Sequence, residues 1–295
     1  MKLAVIDIGS NAARLLITEV IENKKQQPVF NKLNLIRVPL RLGFDVFETG
    51  IISTQKIDML IQTLKAFRHL LNAYQVAHIK ACATSAMRDA KNAVDIIVKV
   101  KKETGINIEI ISGDTESAII YESHIAENLN PHHHYLYIDV GGGSTELTLF
   151  GNQQLIFNQS FNIGTIRLLK NKVSEDCWNN MKLYVKQHIR KNNNIIGIGA
   201  GGNINKLFSL SKKKEGKPLE LDMLKAYYKN LSSLTLPERM KLYDLREDRA
   251  DVIVPALQIY LTVMRWAKID KIYVPKIGLA DGLVQHLYND VYSKM

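Results

Sequence analysis

Two stretches of this chain repeat one pattern: LAVIDIGSNAARLLI at residues 3–17 and YLYIDVGGGSTELTL at residues 135–149. Each has an apolar run, an aspartate, a glycine-bearing turn and a second apolar run, which predicts a strand, a tight turn and a returning strand. The copies align Asp7 with Asp139. A turn without bulky side chains exposes backbone N–H groups that can bind an anion such as phosphate. Two copies predict two related domains facing each other, with an anionic ligand between them.

The segments between and after the two copies alternate strands and helices. Apolar residues recur at helical spacing over residues 53–74, and the helix AVDIIVKVKKET is expected to end at Gly105, a natural C-terminal cap. One long helix is predicted from about residue 248 to 267. This alternation predicts an α/β protein with two similar lobes.

The polar stretch ENLNPHHH, which contains Pro131, marks the expected boundary between the lobes. The predicted domains are residues 1–128 and 129–295, and the last helix could pack back on the first lobe.

Composition excludes several classes of protein. The chain has 295 residues, 46% of them hydrophobic and 23% charged, which is typical of a soluble globular protein. It has no apolar run of about 18 residues, so no membrane span is expected, and its N-terminus is a poor signal peptide. The two cysteines, Cys82 and Cys177, argue against a disulfide scaffold and for a reducing cytoplasm.

The net charge of +10 favours a polyanionic partner. Lysines cluster at residues 99–102, 186–191 and 212–217. Any one cluster is explained as a solvated helix end or loop, since charge runs usually mark exposed surface. The sign of the total charge does not identify the polyanion.

Three glycine-rich turns follow β-branched strands, at residues 8–11, 141–145 and 199–203. None matches the Walker pattern or the dinucleotide-binding pattern. Each alone is explained by the needs of a tight turn, whereas the three together favour a composite anion site.

Carboxylates accompany these turns. Asp139 and Glu146 flank GGGST, which suits Mg²⁺ because this ion prefers oxygen ligands and retains waters and substrate phosphate. Alternatively, Asp139 caps its own turn and Glu146 is a surface residue, and the spacing leaves both readings open. Glu116 could instead stabilise a helix N-terminus that Asp114 caps, and Arg88 is either an exposed arginine or a phosphate clamp.

Six segments in order over nearly the whole chain carry a more specific signal. They are DIGSN (7–11), ATSAMRDA (83–90), ISGDTESA (111–118), IDVGGGSTEL (138–147), GTIRL (164–168) and RADVIVPAL (249–257). Together they resemble the motifs of the exopolyphosphatase / guanosine pentaphosphate phosphohydrolase (Ppx/GppA) family of the actin-like superfamily. The resemblance implies an α/β fold of two ribonuclease-H-like, actin-like lobes with an interdomain cleft, in the family's short two-domain form.

The resemblance also implies roles for individual residues. Glu116 matches the catalytic general base, and Asp139 and Glu146 match the carboxylates that bind the metal, Mg²⁺. The residues that match phosphate-binding positions are Gly9, Ser10, Asn11, Arg88, Gly141, Gly142, Gly143, Ser144 and Thr145.

Four positions depart from the family pattern. Ala12 stands where Ser or Thr is usual, Thr115 replaces an acidic residue, and Ser117 replaces Ala. Lys276 stands near a usual arginine, with a point charge in place of a bidentate fork. These departures bear on substrate preference more than on the type of reaction.

The implied function is that of a Mg²⁺-dependent exopolyphosphatase, which removes terminal phosphate from inorganic polyphosphate in the cytoplasm. Neither a membrane nor a nucleic acid is expected as a partner, and a homodimer is the oligomeric form to test. One rival is the same chemistry on guanosine pentaphosphate. A second is a non-catalytic polyphosphate or nucleotide sensor, against which the retention of Glu116, Asp139 and Glu146 argues. A filament subunit or kinase would need an adenosine pocket, which nothing in the sequence identifies.

Overall fold

The computed structural model describes residues 1–23, 26–122, 133–151, 154–189, 195–275 and 278–292. Contacts divide the chain into two compact units. Unit 1 is Met1–His124 with Leu279–Met295, and unit 2 is Ile125–Gly278. The predicted boundary between residues 128 and 129 lies outside the described residues, as does Lys276, and the predicted domain limits stay a prediction.

Unit 1 is built on a five-stranded sheet of order β3-β2-β1-β4-β5. The first three strands are antiparallel neighbours, whereas β4 and β5 run parallel to β1. The strands are β1 (Lys2–Ile8), β2 (Ala13–Asn23), β3 (Gln26–Val38), β4 (His78–Ala83) and β5 (Ile108–Ile110). The helices are α1 (Leu42–Thr49), α2 (Thr54–Ala73), α3 (Ser85–Asp89), α4 (Ala93–Thr104), α5 (Gly113–Glu122) and, from the end of the chain, α13 (Leu279–Tyr292).

Unit 2 is built on a six-stranded sheet of order β10-β11-β9-β6-β7-β8. Its strands are β6 (His134–Val140), β7 (Thr145–Gly151), β8 (Gln154–Phe161), β9 (Ile195–Ala200), β10 (Leu219–Glu220) and β11 (Lys271–Tyr273). Its helices are α6 (Thr165–Leu169), α7 (Glu175–Ile189), α8 (Gly202–Leu210), α9 (Leu221–Ser232), α10 (Leu236–Tyr243), α11 (Glu247–Ala250) and α12 (Ile253–Ala267).

The repeated sequence has become a repeated topology. In unit 1, β1 and β2 form the predicted hairpin, β3 extends it, and β4 lies parallel on the other side of β1. In unit 2, β6, β7, β8 and β9 stand in the same relation. The predicted fold class, α/β with two related lobes, is confirmed.

Local signals explain several element boundaries. The apolar stripe predicted over residues 53–74 is buried in α2, and α4 ends at Thr104 before Gly105, whose φ of 66° is favourable for glycine. The single long helix predicted from about residue 248 is wrong, because α11 ends at Ala250 and α12 begins at Ile253. Pro255 lacks an N–H group and is tolerated in the first turn of a helix but not in its interior.

The apolar residues of the central strands are buried, as expected for strands with covered faces. Residues Leu3–Ile6 of β1 are 0% exposed. Cys82 lies beside them in β4, fully buried, and burial, with a smaller effect of Glu109, raises the pKa of its thiol to about 12. Cys82 is therefore a core residue. Among the described residues, the helices are too short or too polar to cross a membrane.

Candidate active site

The turn of the first hairpin is fixed by backbone hydrogen bonds. The N–H group of Gly9 donates to the Ala12 carbonyl at 3.0 Å and closes the turn. The carbonyl oxygens of Ser10 and Asn11 accept N–H groups from the segment around the start of α1, at 2.8 and 2.9 Å. Ser10 is buried, and its Oγ lies 2.8 Å from Ser85 Oγ at the start of α3. Because these carbonyls are engaged by the protein, the turn is a suitable platform for presenting N–H groups to an anion.

Three parallel strands of unit 1 end at one edge of the sheet. Ile8 of β1 is in register with Ala83 of β4, which is in register with Ile110 of β5. Arg88 follows β4 and donates from Nη1 to the carbonyl of Ile111, just after β5, at 2.8 Å. Arg88 is half-buried and ties the β4 and β5 ends together, so it is not merely an exposed arginine.

Glu116 lies in the first turn of α5, directly after this edge. Its N–H group donates to the Ser112 carbonyl at 2.9 Å, and its side chain is half-buried. Ser112 Oγ accepts the N–H group of Thr115 at 3.0 Å, which is the bond that an N-cap makes. The alternative in which Asp114 caps this helix is therefore wrong, because α5 begins one residue before Asp114.

Three of the departures from the family pattern have local structural roles. Thr115 Oγ1 lies 2.8 Å from Ser112 Oγ and joins the cap of α5. Ser117 is buried and donates from Oγ to the Gly113 carbonyl at 2.9 Å. Ala12 is buried, and its carbonyl closes the first hairpin turn.

The second hairpin turn, in unit 2, is fixed in the same manner. Gly141 donates to the Ser144 carbonyl at 2.9 Å, and the carbonyls of Gly141 and Gly142 accept N–H groups from the start of α6 at 3.0 and 2.8 Å. Arg167 donates from Nε to the Gly143 carbonyl at 2.6 Å. A β-carbon on Gly164 would lie 2.4 Å from the Gly142 carbonyl oxygen, so only glycine permits this approach.

Thr145 begins the returning strand β7 and links the turn to the segment before α6. It is fully buried, and its Oγ1 donates to the Ile163 carbonyl at 2.5 Å. Ser144 is also buried. The predicted phosphate-binding residues of this turn therefore form one rigid unit with the start of α6.

The two hairpins differ at one charged pair. In the first, Asp7 lies directly across from Arg14, and Arg14 Nη1 lies 2.5 Å from Asp7 Oδ2. In the second, Asp139 lies directly across from Glu146. Glu146 is 3% exposed and accepts a hydrogen bond at Oε1 from Ser160 Oγ at 2.9 Å, so it is not a surface residue. Like charges facing each other across an antiparallel pair are destabilising, and a cation between them would remove that cost.

This donor set suits a hard cation. Two carboxylates are a usual protein contribution to a Mg²⁺ site, where waters and substrate phosphate supply the other ligands. In the part of the chain that the structure describes, no group of three or more His, Cys, Asp and Glu side chains could form a cage for an ion. A two-carboxylate site is therefore the kind that these residues offer.

The third glycine-rich turn lies beside Asp139. Gly201 has a φ of 101°, and a β-carbon there would lie 2.8 Å from Asp139 Oδ1. A β-carbon on Gly202 would lie 2.3 Å from Arg249 Nη2. Arg249 Nη1 donates to Asn203 Oδ1 at 3.4 Å. The absence of side chains at Gly201 and Gly202 thus leaves space for the Asp139 carboxylate and the Arg249 guanidinium.

Tyr260, in α12, forms a hydrogen bond at this edge of the sheet. It is 0% exposed, and its hydroxyl donates to the carbonyl of Ala200, the last residue of β9. Burial raises its pKa well above the usual value, and the charge of Asp139 adds to the rise, whereas a backbone hydrogen bond from Val140 opposes it. Its hydroxyl therefore lies between the ends of β6 and β9.

The structure groups the predicted residues by unit. Gly9, Ser10, Asn11, Arg88 and Glu116 lie at the carboxyl edge of the unit 1 sheet. The residues at the corresponding edge of unit 2 are Asp139, Gly141, Gly142, Gly143, Ser144, Thr145 and Glu146.

Three residues that contact these turns or their strand ends are not among the residues predicted from the sequence: Arg14, Arg249 and Tyr260. Arg14 follows Asp7 by seven residues, as Glu146 follows Asp139, so the repeat itself could have revealed it. Arg249 begins the RADVIVPAL segment, whose match to the family pattern is the one local signal for it. Tyr260 carries no local signal, since its contact depends on packing across 60 residues of sequence.

Comparison with known proteins identifies the family. The model of the Ppx/GppA phosphatase family matches residues 20–290. The chain belongs to the Ppx/GppA phosphatase family. The match begins after the first hairpin turn, so DIGSN lies outside it.

Named relatives and a solved structure agree with this assignment. A Fusobacterium nucleatum protein named bifunctional 3-dehydroquinate synthase/phosphatase is 33% identical over 261 residues, or 81% of this chain, and the match spans 38% of that longer protein. Exopolyphosphatase 1 of Mycobacterium tuberculosis is 23% identical over 96% of this chain and 87% of its own length. The crystal structure of an exopolyphosphatase from Cytophaga hutchinsonii is 26% identical, with a TM-score of 0.84 and 98% of each chain covered.

Proposed function

We propose that this chain is a phosphoanhydride hydrolase of the exopolyphosphatase type, which releases orthophosphate from the end of inorganic polyphosphate. The observation that carries the proposal is a difference in charge between the facing residues of the two hairpins. The first holds an ion pair, Asp7 with Arg14, and the second holds two facing carboxylates, Asp139 and Glu146, beside a glycine-rich turn. Membership of the Ppx/GppA phosphatase family supports it.

Asp139 and Glu146 would hold Mg²⁺ in this proposal. When bound, Mg²⁺ neutralises negative charge on phosphate oxygens near the reacting centre. Ser160 orients Glu146 through its hydrogen bond to Oε1, and Gly201 leaves space for the Asp139 carboxylate. The chain's own contribution is thus to fix two oxygen donors at the strand ends of unit 2.

Glu116 would act as general base. Its carboxylate takes a proton from water as the water oxygen bonds to the terminal phosphorus. The bridging P–O bond breaks, its electron pair leaves with the shortened polyphosphate, and orthophosphate is released. The Ser112 cap fixes the first turn of α5, and this turn carries the backbone of Glu116.

The hairpin turns would bind phosphate oxygens through backbone N–H groups, and Arg88 would add positive charge at the unit 1 edge. The net charge of +10 favours a polymeric anion over a small one.

The setting of the reaction is part of the proposal. We expect a cytoplasmic enzyme, since Cys82 and Cys177 are free thiols. Neither nucleic acid nor membrane is expected as a partner. A homodimer is the assembly to look for by light scattering at several protein concentrations.

The test is phosphate release from polyphosphate and from guanosine pentaphosphate, each with and without Mg²⁺. The expected result is Mg²⁺-dependent release that is faster from polyphosphate. Faster release from guanosine pentaphosphate would establish the rival substrate, and binding without release from either would establish a sensor.

Glu116→Gln supplies the test of the general base. Turnover should fall by roughly 10²–10⁴-fold, the usual contribution of a positioned acid or base. Asp114→Asn is the matched control, since Asp114 is an exposed carboxylate of the same helical turn. Equal rates for the Glu116→Gln variant and the parent protein would show that Glu116 is not the base.

A further inference from the structure

The helix that carries Glu116 is held against the last helix of the chain. Within unit 1, α13 contacts α5 and also the strands β1, β2 and β4. Two ion pairs attach α13 to the sheet, one between Lys32 and Asp281 at 2.5 Å and one between Lys80 and Asp290 at 3.3 Å. α13 therefore packs against the sheet as well as against α5.

The contact between the two helices depends on Gly282. A β-carbon at this position would lie 2.4 Å from the Ile119 carbonyl oxygen and 2.8 Å from Ile119 Cγ2. A β-carbon is essentially never found within 3.0 Å of such an atom. The close approach of the α13 and α5 backbones is thus possible only because residue 282 has no side chain.

Ile119 lies three residues after Glu116, which is about one helical turn. The start of α5 is held by Arg88, through the Ile111 carbonyl, and by the Ser112 cap. The next turn, at Ile119, packs against Gly282 of α13. A short helix fixed at both places has little freedom to move Glu116.

We infer that Gly282 is a positioning residue for Glu116: the close approach of α13 to α5 sets where the carboxylate of the base lies. The inference rests on the proposed role of Glu116. Its consequence is that α13 affects catalysis through the position of Glu116.

The variant Gly282→Ala tests this contact. The added methyl group must increase the distance to the Ile119 oxygen from 2.4 Å to at least 3.0 Å, which displaces α5. Since a misplacement of about 1 Å can cost about 10²-fold in rate, kcat should fall by roughly 10- to 100-fold. The KM for polyphosphate and the Mg²⁺ concentration for half-maximal activity should stay within about twofold, because neither depends on Glu116.

Gly278→Ala is the matched control. It makes the same change just before α13, where a β-carbon would meet no atom within 4 Å. This variant should retain the parent kcat to within about twofold.

A double-mutant cycle with Glu116→Gln separates positioning from general damage. If Gly282 acts through Glu116, then Gly282→Ala should change the residual rate by less than about twofold when residue 116 is already Gln. An equal loss in both backgrounds would overturn the inference while leaving the base assignment intact. A parental rate for Glu116→Gln alone would overturn both, so the two failures are distinguishable.

Should the Gly282→Ala variant not fold, as judged by circular dichroism, Ile119→Ala takes its place in the cycle. It removes the Cγ2 atom that faces Gly282 and loosens the same contact. The same dependence on Glu116 is expected, and a loss of equal size in both backgrounds would again contradict the inference.

Discussion

Arg14 and Glu146 hold opposite charges at the same place in two copies of one hairpin. Each faces an aspartate across an antiparallel pair, Asp7 in the first copy and Asp139 in the second. The first copy neutralises its buried aspartate with its own guanidinium. In the second copy the residue across the strand pair is Glu146, so two carboxylates face each other and offer oxygen donors to an external cation.

This contrast predicts that divalent ions stabilise the fold as well as activate the enzyme. Without Mg²⁺, the variant Asp139→Asn with Glu146→Gln should be at least as stable as the parent, because like charges that face each other across a strand pair are destabilising. Excess Mg²⁺ should raise the melting temperature of the parent by several degrees, since a ligand at ~100 times its Kd adds about 2.7 kcal/mol. The variant should show no such rise and a weaker Mg²⁺ activation.

The matched control for this experiment is Glu220→Gln with Asp222→Asn, which removes two exposed carboxylates from the same unit. That variant should respond to Mg²⁺ as the parent does. An unchanged Mg²⁺ titration midpoint in the Asp139→Asn, Glu146→Gln variant would show that these carboxylates do not bind the ion.

Single residues differ in how far the sequence reveals them. The repeat alone predicts that Asp139 and Glu146 lie close together, because a strand, a tight turn and a returning strand place them at facing positions. The contact of Arg88 with the Ile111 carbonyl depends on the pairing of β4 with β5, and that pairing is not visible in the local sequence. Its structural role could therefore be found only in the folded chain.

At the scale of elements, one helix supports the edge of the unit 2 sheet. Ten residues of α12 are buried, and its Tyr260 reaches the carbonyl of Ala200 at the end of β9. This is the last residue before the turn at Gly201, so the support lies where regular strand pairing stops. A buried carbonyl at such a point needs a donor, and Tyr260 supplies it.

Replacing Tyr260 with Phe should therefore lower the free energy of unfolding by about 1–3 kcal/mol, because the buried Ala200 carbonyl loses a donor and the Val140 N–H group loses an acceptor. The measurement is the midpoint of urea denaturation. Tyr273→Phe, at an exposed position of β11, is the control and should change stability by less than about 0.5 kcal/mol. Equal midpoints for the Tyr260→Phe variant and the parent would contradict the assignment of this hydrogen bond.

Elements with a strong local signal are predictable from the sequence, whereas contacts between residues far apart in the chain are not. The predictions of the apolar stripe in α2 and of the glycine cap of α4 are confirmed, since each depends on a local pattern. The break between α11 and α12 was missed, although Pro255 could have indicated it. The close approach at Gly282 is invisible in the sequence, because it joins residues 163 positions apart, from 119 to 282.

For the whole molecule, some of the lysines form local ion pairs with carboxylates. Lys99 pairs with Asp58, and Lys213 pairs with Glu220. Such exposed pairs contribute little to stability. Nevertheless, Lys and Arg number 39 against 29 Asp and Glu, so a net charge of +10 remains to attract a polyanion.

Binding of long polyphosphate should weaken with salt more steeply than binding of pyrophosphate. A long polyanion can contact many lysines and arginines at once and release counterions at each, by analogy with nucleic-acid binding. Pyrophosphate is short: it can bind at the glycine turns but contacts few lysines and arginines. It therefore serves as the control ligand. The measurement is the dissociation constant of each ligand at several salt concentrations, without Mg²⁺ so that neither is hydrolysed. Equal slopes of log Kd against log salt would mean that the lysines are merely solvated and do not guide the polymer.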